Sequence, residues 1–172
     1  MRKRIDLTIY AFRKQNGSVQ RKMPIFRKVK ETEIADVAVL EKNIFSDAWS
    51  CESIFETYGQ SNAMIVIAEE ESRIVGYCIL YFVLDEGEIA RIGVDESLRG
   101  RGIGRGLLDF VKTYCVQNKI ERLLLDVRES NARARKFYEQ YGFEFDGIRK
   151  NFYEQPKEHA VLMSMTINNL FH

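Results

Sequence analysis

Apolar positions along the 172-residue chain fall into short runs whose spacing changes repeatedly between helical and strand-like. Residues 25–30 read as a strand, 31–45 as a helix and 50–58 as a shorter helix. Strand-like runs follow near 63–69 and 73–84, parted by Glu69-Glu70-Glu71-Ser72, a spacing that predicts a hairpin. A strand at 88–94 leads into a glycine-rich loop. From Gly102 to residue 118 a helix is predicted, because Leu107, Leu108, Val111, Tyr114 and Cys115 share one helical face. Residues 122–128 read as a buried-type strand. Ala134, Phe137, Tyr138 and Tyr141 fall at i, i+3, i+4 and i+7, with Ser130 or Asn131 as the cap and Gly142 as the stop. Two strands, 143–150 and 160–167, close the pattern, with polar residues and Pro156 between them. The order β-α-α-β-β-β-α-β-α-β-β predicts an α+β fold.

Length and cysteine usage narrow the class. A chain of this size buries a core without staples, and Cys51, Cys78 and Cys115 are odd in number and widely spaced, which points to reduced thiols. With only His159 and His172 as histidines, no metal site is expected. The longest apolar run, Tyr77 to Leu84, is too short to span a bilayer, so a soluble cytoplasmic protein without membrane contact is expected.

Charge is unevenly spread. Residues 1–30 hold ten Lys/Arg and one acid, leaving 16 basic and 24 acidic residues beyond, net −8. We read 1–22 as a basic extension and 23–172 as a single domain. Met1 and Met23 are competing start points, and nucleic-acid contact is expected, if anywhere, through 1–22, where Ile5 to Tyr10 alternate as in an extra strand.

The chemistry concentrates at Arg99-Gly100-Arg101-Gly102-Ile103-Gly104-Arg105-Gly106, between a predicted strand and a predicted helix. Glycines let the backbone curl around an anion, and a helix N-terminus aims unpaired N–H groups at it. A dinucleotide fingerprint counted from Gly102 fails at Leu107, and no Gly-Lys-Ser/Thr follows for a Walker loop. Arg99, Gly102 and Gly104 do satisfy Arg/Gln-x-x-Gly-x-Gly/Ala. Together with Leu-Leu-Leu-Asp-Val-Arg-Glu-Ser-Asn131 and the helix through Tyr138 to Gly142, this loop resembles the GNAT acetyltransferase superfamily, and within it the ribosomal-protein-alanine N-acetyltransferase branch.

That resemblance implies the GNAT acyltransferase fold, an α/β sandwich whose mixed sheet of six to seven strands splays between the fourth and fifth, with about four flanking helices. It implies acetyl-CoA as co-substrate, held by Arg99 to Arg105, by backbone groups of Ile92, Gly93 and Val94, and by Asn131, which equally suits a helix cap. Tyr138, twelve residues after Asp126, would meet the CoA sulfur as general acid. For the base two carboxylates stand open: Asp126, where the branch carries Glu, and Glu88, at the base position of histone-type members. Trp49, in Phe45-Ser-Asp-Ala-Trp49-Ser50, and Tyr153, in Asn151-Phe152-Tyr153, would border the acceptor, with a buried anchor as the other reading of Trp49. His159 stands where the branch has Asp.

The implied reaction is direct acetyl transfer to a primary amine in a ternary complex, since no cysteine lies in either motif block. An α-amine, with a pKa of about 8, demands less of a base than a lysine at about 10.4, which favours a protein N-terminus such as that of a ribosomal protein. A small polyamine-like acceptor, or a non-catalytic acetyl-CoA sensor or RNA-associated domain, are the alternatives. A monomer or homodimer is expected.

Overall fold

The computed structural model describes residues 23–167; the basic extension 1–22, with its candidate strand, and His172 lie outside the described residues. The elements are β1 (Ile25–Lys28), α1 (Ile34–Ile44), α2 (Cys51–Tyr58), β2 (Ala63–Glu70), β3 (Arg73–Val83), β4 (Glu86–Val94), α3 (Ile103–Asn118), β5 (Arg122–Arg128), α4 (Ala132–Tyr141), β6 (Glu144–Glu154) and β7 (Lys157–Thr166). They follow the order read from the sequence. One seven-stranded sheet runs β1-β2-β3-β4-β5-β7-β6. The three cysteines are free thiols.

Boundaries differ most at the end of the chain. β6 and β7 reach Glu154 and Lys157 and meet at the Gln155–Pro156 turn, where two shorter strands were expected. The physical reason is that β6 is an edge strand with nearly every side chain exposed, so no alternation of apolar and polar residues marks its length. At the start, the expected helix from residue 31 begins as a single 3-10 turn, Glu31–Glu33, before α1.

The chain divides into two compact units, 23–79 with 91–114 and 80–90 with 115–167. In the first, β1 pairs antiparallel with β2, Phe26 opposite Ala68. Arg27 ties this pair to the entry of α1: its guanidinium bonds Glu33 at 2.6 and 2.8 Å and Glu69 at 2.5 and 2.9 Å. The bonds from Arg27 hold the Glu33 carboxyl down at about 2. Gly106 explains itself by packing. A Cβ there would lie 2.1 Å from Cζ of Phe26, so this glycine admits the ring of β1 against α3.

In the second unit β4 runs parallel to β5, with Glu88 beside Leu124, and β7 lies antiparallel between β5 and β6. One face is apolar: Leu123, Leu125, Val127, Val161, Met163 and Met165 are buried. Gly87 belongs to that face, where a Cβ would meet Leu123 at 3.0 Å and Leu80 at 3.2 Å. Tyr138 and Phe143, edge to face at 5.6 Å, are buried at the end of α4, and Gly142 closes the helix in the left-handed region.

Two outcomes follow. Gly106→Ala is expected to destabilise the fold by about 1–3 kcal/mol in urea titration, with part recovered when Phe26→Leu is added to make room. Because the folded Glu33 carboxyl sits below the ordinary 4.5, its stabilisation is present above that pH and lost as pH falls toward 2. Glu33→Gln should therefore flatten the acid limb of a stability–pH curve measured by thermal melts.

Candidate active site

β4 ends at Val94, and the chain then turns on its own hydrogen bonds. The Asp95 N–H donates to the Val75 carbonyl at 2.9 Å, and the Asp95 carboxylate accepts from the Ser97 hydroxyl at 2.6 Å and the Ser97 N–H at 3.0 Å. These Ser97 bonds hold the Asp95 carboxyl below its ordinary range. Arg99 Nε donates back to the Val94 carbonyl at 3.2 Å, so the glycine loop is tethered to the strand end.

Gly100 and Gly102 both adopt the left-handed region, φ 82° and 83°, with no atom within 4 Å of where a Cβ would stand. Side-chain-bearing residues resist that conformation, so the two glycines set the turn that opens α3. Ile103 is buried and anchors the helix start, and Gly106 N–H donates to the Gly102 carbonyl at 3.0 Å. The result is an open helix N-terminus able to take an anion. Of its arginines, Arg101 is bonded to Glu70 at 2.6 and 3.1 Å, Arg99 pairs with Glu96 at 3.5 Å, and Arg105 is exposed. Just upstream, Gly93 is tightly packed: a Cβ would meet Ile44 at 2.9 Å, Tyr77 at 3.1 Å and Phe45 at 3.3 Å.

In the second unit, the face opposite the apolar one carries the acids. Glu88 is in register with Leu124, and Asp126 lies two residues further along the same face, which places their Cα atoms about 8 Å apart. Glu88 is exposed. Asp126 is half-buried, and Arg149 Nη1 reaches it from β6 at 3.0 Å. Burial pushes the Asp126 carboxyl up from its ordinary value, and the Arg149 charge opposes the shift.

Asn131 caps α4, its side chain accepting from the Ala134 N–H at 3.1 Å, and Tyr138 is the buried residue of that helix. Tyr153 is half-buried with the Arg128 guanidinium 4.1 Å from its ring centre. Arg128 also pairs with Glu158 at 3.5 Å, and Glu158 accepts from the Ser130 N–H, a bond that holds its carboxyl down. His159 Nδ1 accepts from the Asn151 N–H at 3.0 Å. That bond steadies a bulge where Asn151 has φ 52°.

Trp49 is half-exposed in the first unit. Its backbone N–H donates to Glu41 Oε1 at 2.9 Å, and Arg91 lies over its ring at 5.5 Å. Glu41, Arg91 and Arg149 are the residues that sequence reasoning missed. A signal existed for Glu41, an acid at the apolar spacing of Ile34, Val37 and Ile44 on α1, whereas nothing local marks the arginines.

A family model described as Acetyltransferase (GNAT) family matches residues 34–143. A [ribosomal protein bS18]-alanine N-acetyltransferase of Salmonella typhimurium (strain LT2) is 30% identical over 139 residues, covering 80% of this chain and 93% of the relative. The crystal structure of the ribosomal-protein-S18-alanine N-acetyltransferase from Escherichia coli superposes with a TM-score of 0.78 at 26% identity, over 87% of this chain and all of that one. A GNAT family acetyltransferase from Elizabethkingia anophelis with acetyl-CoA bound shares the fold, with a TM-score of 0.64 at 24% identity over 74% of this chain and 88% of that one.

The Asp126–Arg149 pair yields a direct check. Replacing Arg149 with Met removes the charge that lowers the Asp126 carboxyl while leaving its burial, so Asp126 should titrate higher still. Carboxyl carbon NMR across an acid titration reads this, and Arg149→Lys should restore part of the difference.

Proposed function

Because the chain belongs to the GNAT acetyltransferase family, we propose that it transfers the acetyl group of acetyl-CoA directly to the N-terminal α-amine of a protein within a single ternary complex. The enzyme class follows from the family: it is an acetyl-CoA-dependent N-acetyltransferase. The observation that carries the further reading is the pairing of Glu88 and Asp126 on one polar sheet face, which supplies carboxylates where an incoming ammonium has to lose a proton.

The parts divide as follows. The open turn at Gly100 and Gly102, with no atom where a Cβ would stand, suits a phosphate against the start of α3, and Arg99, Arg101, Ile103, Gly104 and Arg105 complete that cradle. Arg101 reaches it already held by Glu70, so its charge is oriented and half-neutralised. Backbone groups of Ile92, Gly93 and Val94 face the pantetheine arm and the thioester oxygen. Acetyl-CoA supplies the activated acyl carbon. Glu88 and Asp126 draw the proton from the amine, and Tyr138 donates a hydrogen bond or its proton to the departing sulfur. A tyrosine of ordinary pKa, about 10, exceeds a thiol by about 1.5 units, so the hydrogen bond is the larger part of that role. Asn131 completes α4 as its cap and borders the cofactor, and Trp49 and Tyr153 border the acceptor.

An N-terminal acceptor is supported by the names of the relatives, which acetylate an alanine of a ribosomal protein, and by charge. Residues beyond 30 carry net −8 and attract a basic protein acceptor. Such an acceptor places the enzyme in the cytoplasm. Among the described residues no helix is long and apolar enough to cross a membrane.

The test is acetyl-CoA consumption against peptides beginning Ala, Ser or Met, lysine peptides blocked at the N-terminus, and polyamines, with mass spectrometry locating the acetyl group. Acetate on the α-amine of an Ala peptide is expected, and polyamine-only turnover overturns the acceptor. Tyr138→Phe should lower kcat by about 10- to 100-fold. Glu88→Gln with Asp126→Asn should lower kcat/KM near neutral pH and move the acidic limb of its profile up to the pKa of the amine, with rate regained as pH approaches that value.

A further inference from the structure

The six residues between α1 and α2, Phe45 to Ser50, are held by two side chains that the reaction does not use. Glu41 is fully buried on α1. Its Oε1 accepts the Trp49 N–H at 2.9 Å and lies 3.2 Å from Arg91 Nε, while Oε2 is buried without a hydrogen-bond partner among the described residues. Arg91, on β4, has a side chain only 14% exposed. Its Nη2 donates to the Asp47 carbonyl at 2.6 Å and its Nη1 to the Asp47 carboxylate at 3.4 Å. The same guanidinium lies 4.6 Å from the Phe45 ring centre and 5.5 Å from that of Trp49. Two residues on, Gly93 has Ile44 and Phe45 against its bare Cα.

We propose that Arg91, through its ion pair with Glu41, is a positioning residue that locks the Phe45–Ser50 loop, and with it Trp49, onto β4 so that the acceptor meets a preformed wall. This rests on the reading that Trp49 borders the acceptor. The carboxylate takes a loop N–H, and the guanidinium takes a loop carbonyl and covers both loop aromatics. One buried ion pair therefore satisfies the polar backbone at Asp47 and Trp49 together. A planar guanidinium does this with several donors and a stacking face at once, which a lysine ammonium cannot. Keeping a charged pair buried is a poor way to gain stability and a good way to specify one loop position. With the loop already ordered, the acceptor binds without the entropic loss of fixing it.

Trp49 is the sole tryptophan of the chain, so the lock has an optical readout that does not depend on turnover. The informative variant is the charge-balanced double, Arg91→Met with Glu41→Gln, because Arg91→Met alone leaves an uncompensated buried carboxylate that destabilises the fold. In the double variant, acrylamide quenching of Trp49 should rise at unchanged far-ultraviolet circular dichroism, and acceptor KM should rise about tenfold. Acetyl-CoA affinity by calorimetry should stay within about twofold, since the glycine loop is untouched. Arg91→Lys should fall between. Unchanged Trp49 quenching overturns the lock. Increased quenching at unchanged acceptor KM overturns its role in positioning the acceptor. Failure of the wild-type enzyme to acetylate any peptide is a different result: it removes the N-terminal acceptor, while quenching still decides the lock.

Discussion

The register of β4 against β5 pairs Glu88 with Leu124, and the usable chemistry of the second unit depends on that pairing. Side chains alternate across a strand, so a slip of one residue would send Glu88 or Asp126 into the apolar face with Leu123, Leu125 and Val127. The burial of that face is what pins the register. Gly87 contributes by leaving room for Leu123 and Leu80, and β7 contributes Val161, Met163 and Met165 to the same layer. Packing on one side of the sheet thus decides which acids stand on the other.

A different constraint governs the glycine loop. Gly100 and Gly102 take left-handed conformations in open space, and their value lies in exposing the start of α3. Gly106, only four positions on, takes part in no turn: it lets Phe26 of β1 lie against the helix. One run of glycines therefore serves two ends, an exposed backbone at the start of α3 and a close approach that fixes the same helix against β1.

Buried and half-buried charge is used sparingly and always with a geometric result. Glu41 is desolvated beside Arg91, and the pair holds a loop; Asp126 is desolvated beside Arg149, which bonds it at 3.0 Å and opposes the upward push of burial. In each case burial raises the carboxyl; the Trp49 backbone N–H and Arg91 oppose the shift at Glu41, and Arg149 opposes it at Asp126. The Asp at position 126 has one methylene fewer than Glu, and Arg149 gives this shorter side chain a fixed direction.

Much of this was legible along the chain. Helix and strand periods, the Asn131 cap, the Gly142 stop, and the order and spacing of the two motif blocks are all local properties, written in residues within a few positions of each other, and they determined the element order and the family resemblance. β6 escaped full reading because an edge strand exposed on both faces leaves no alternation to read. What only the tertiary structure decided are the partnerships between distant residues: Arg91 with Asp47, 44 positions apart, Arg149 with Asp126, 23 apart, and Phe26 against Gly106. Such contacts depend on where folding brings two elements together. No local period encodes a partner on another element, so motif and spacing single out Glu88 and Asp126 but not Arg91 or Arg149, and packing alone chooses the pairs.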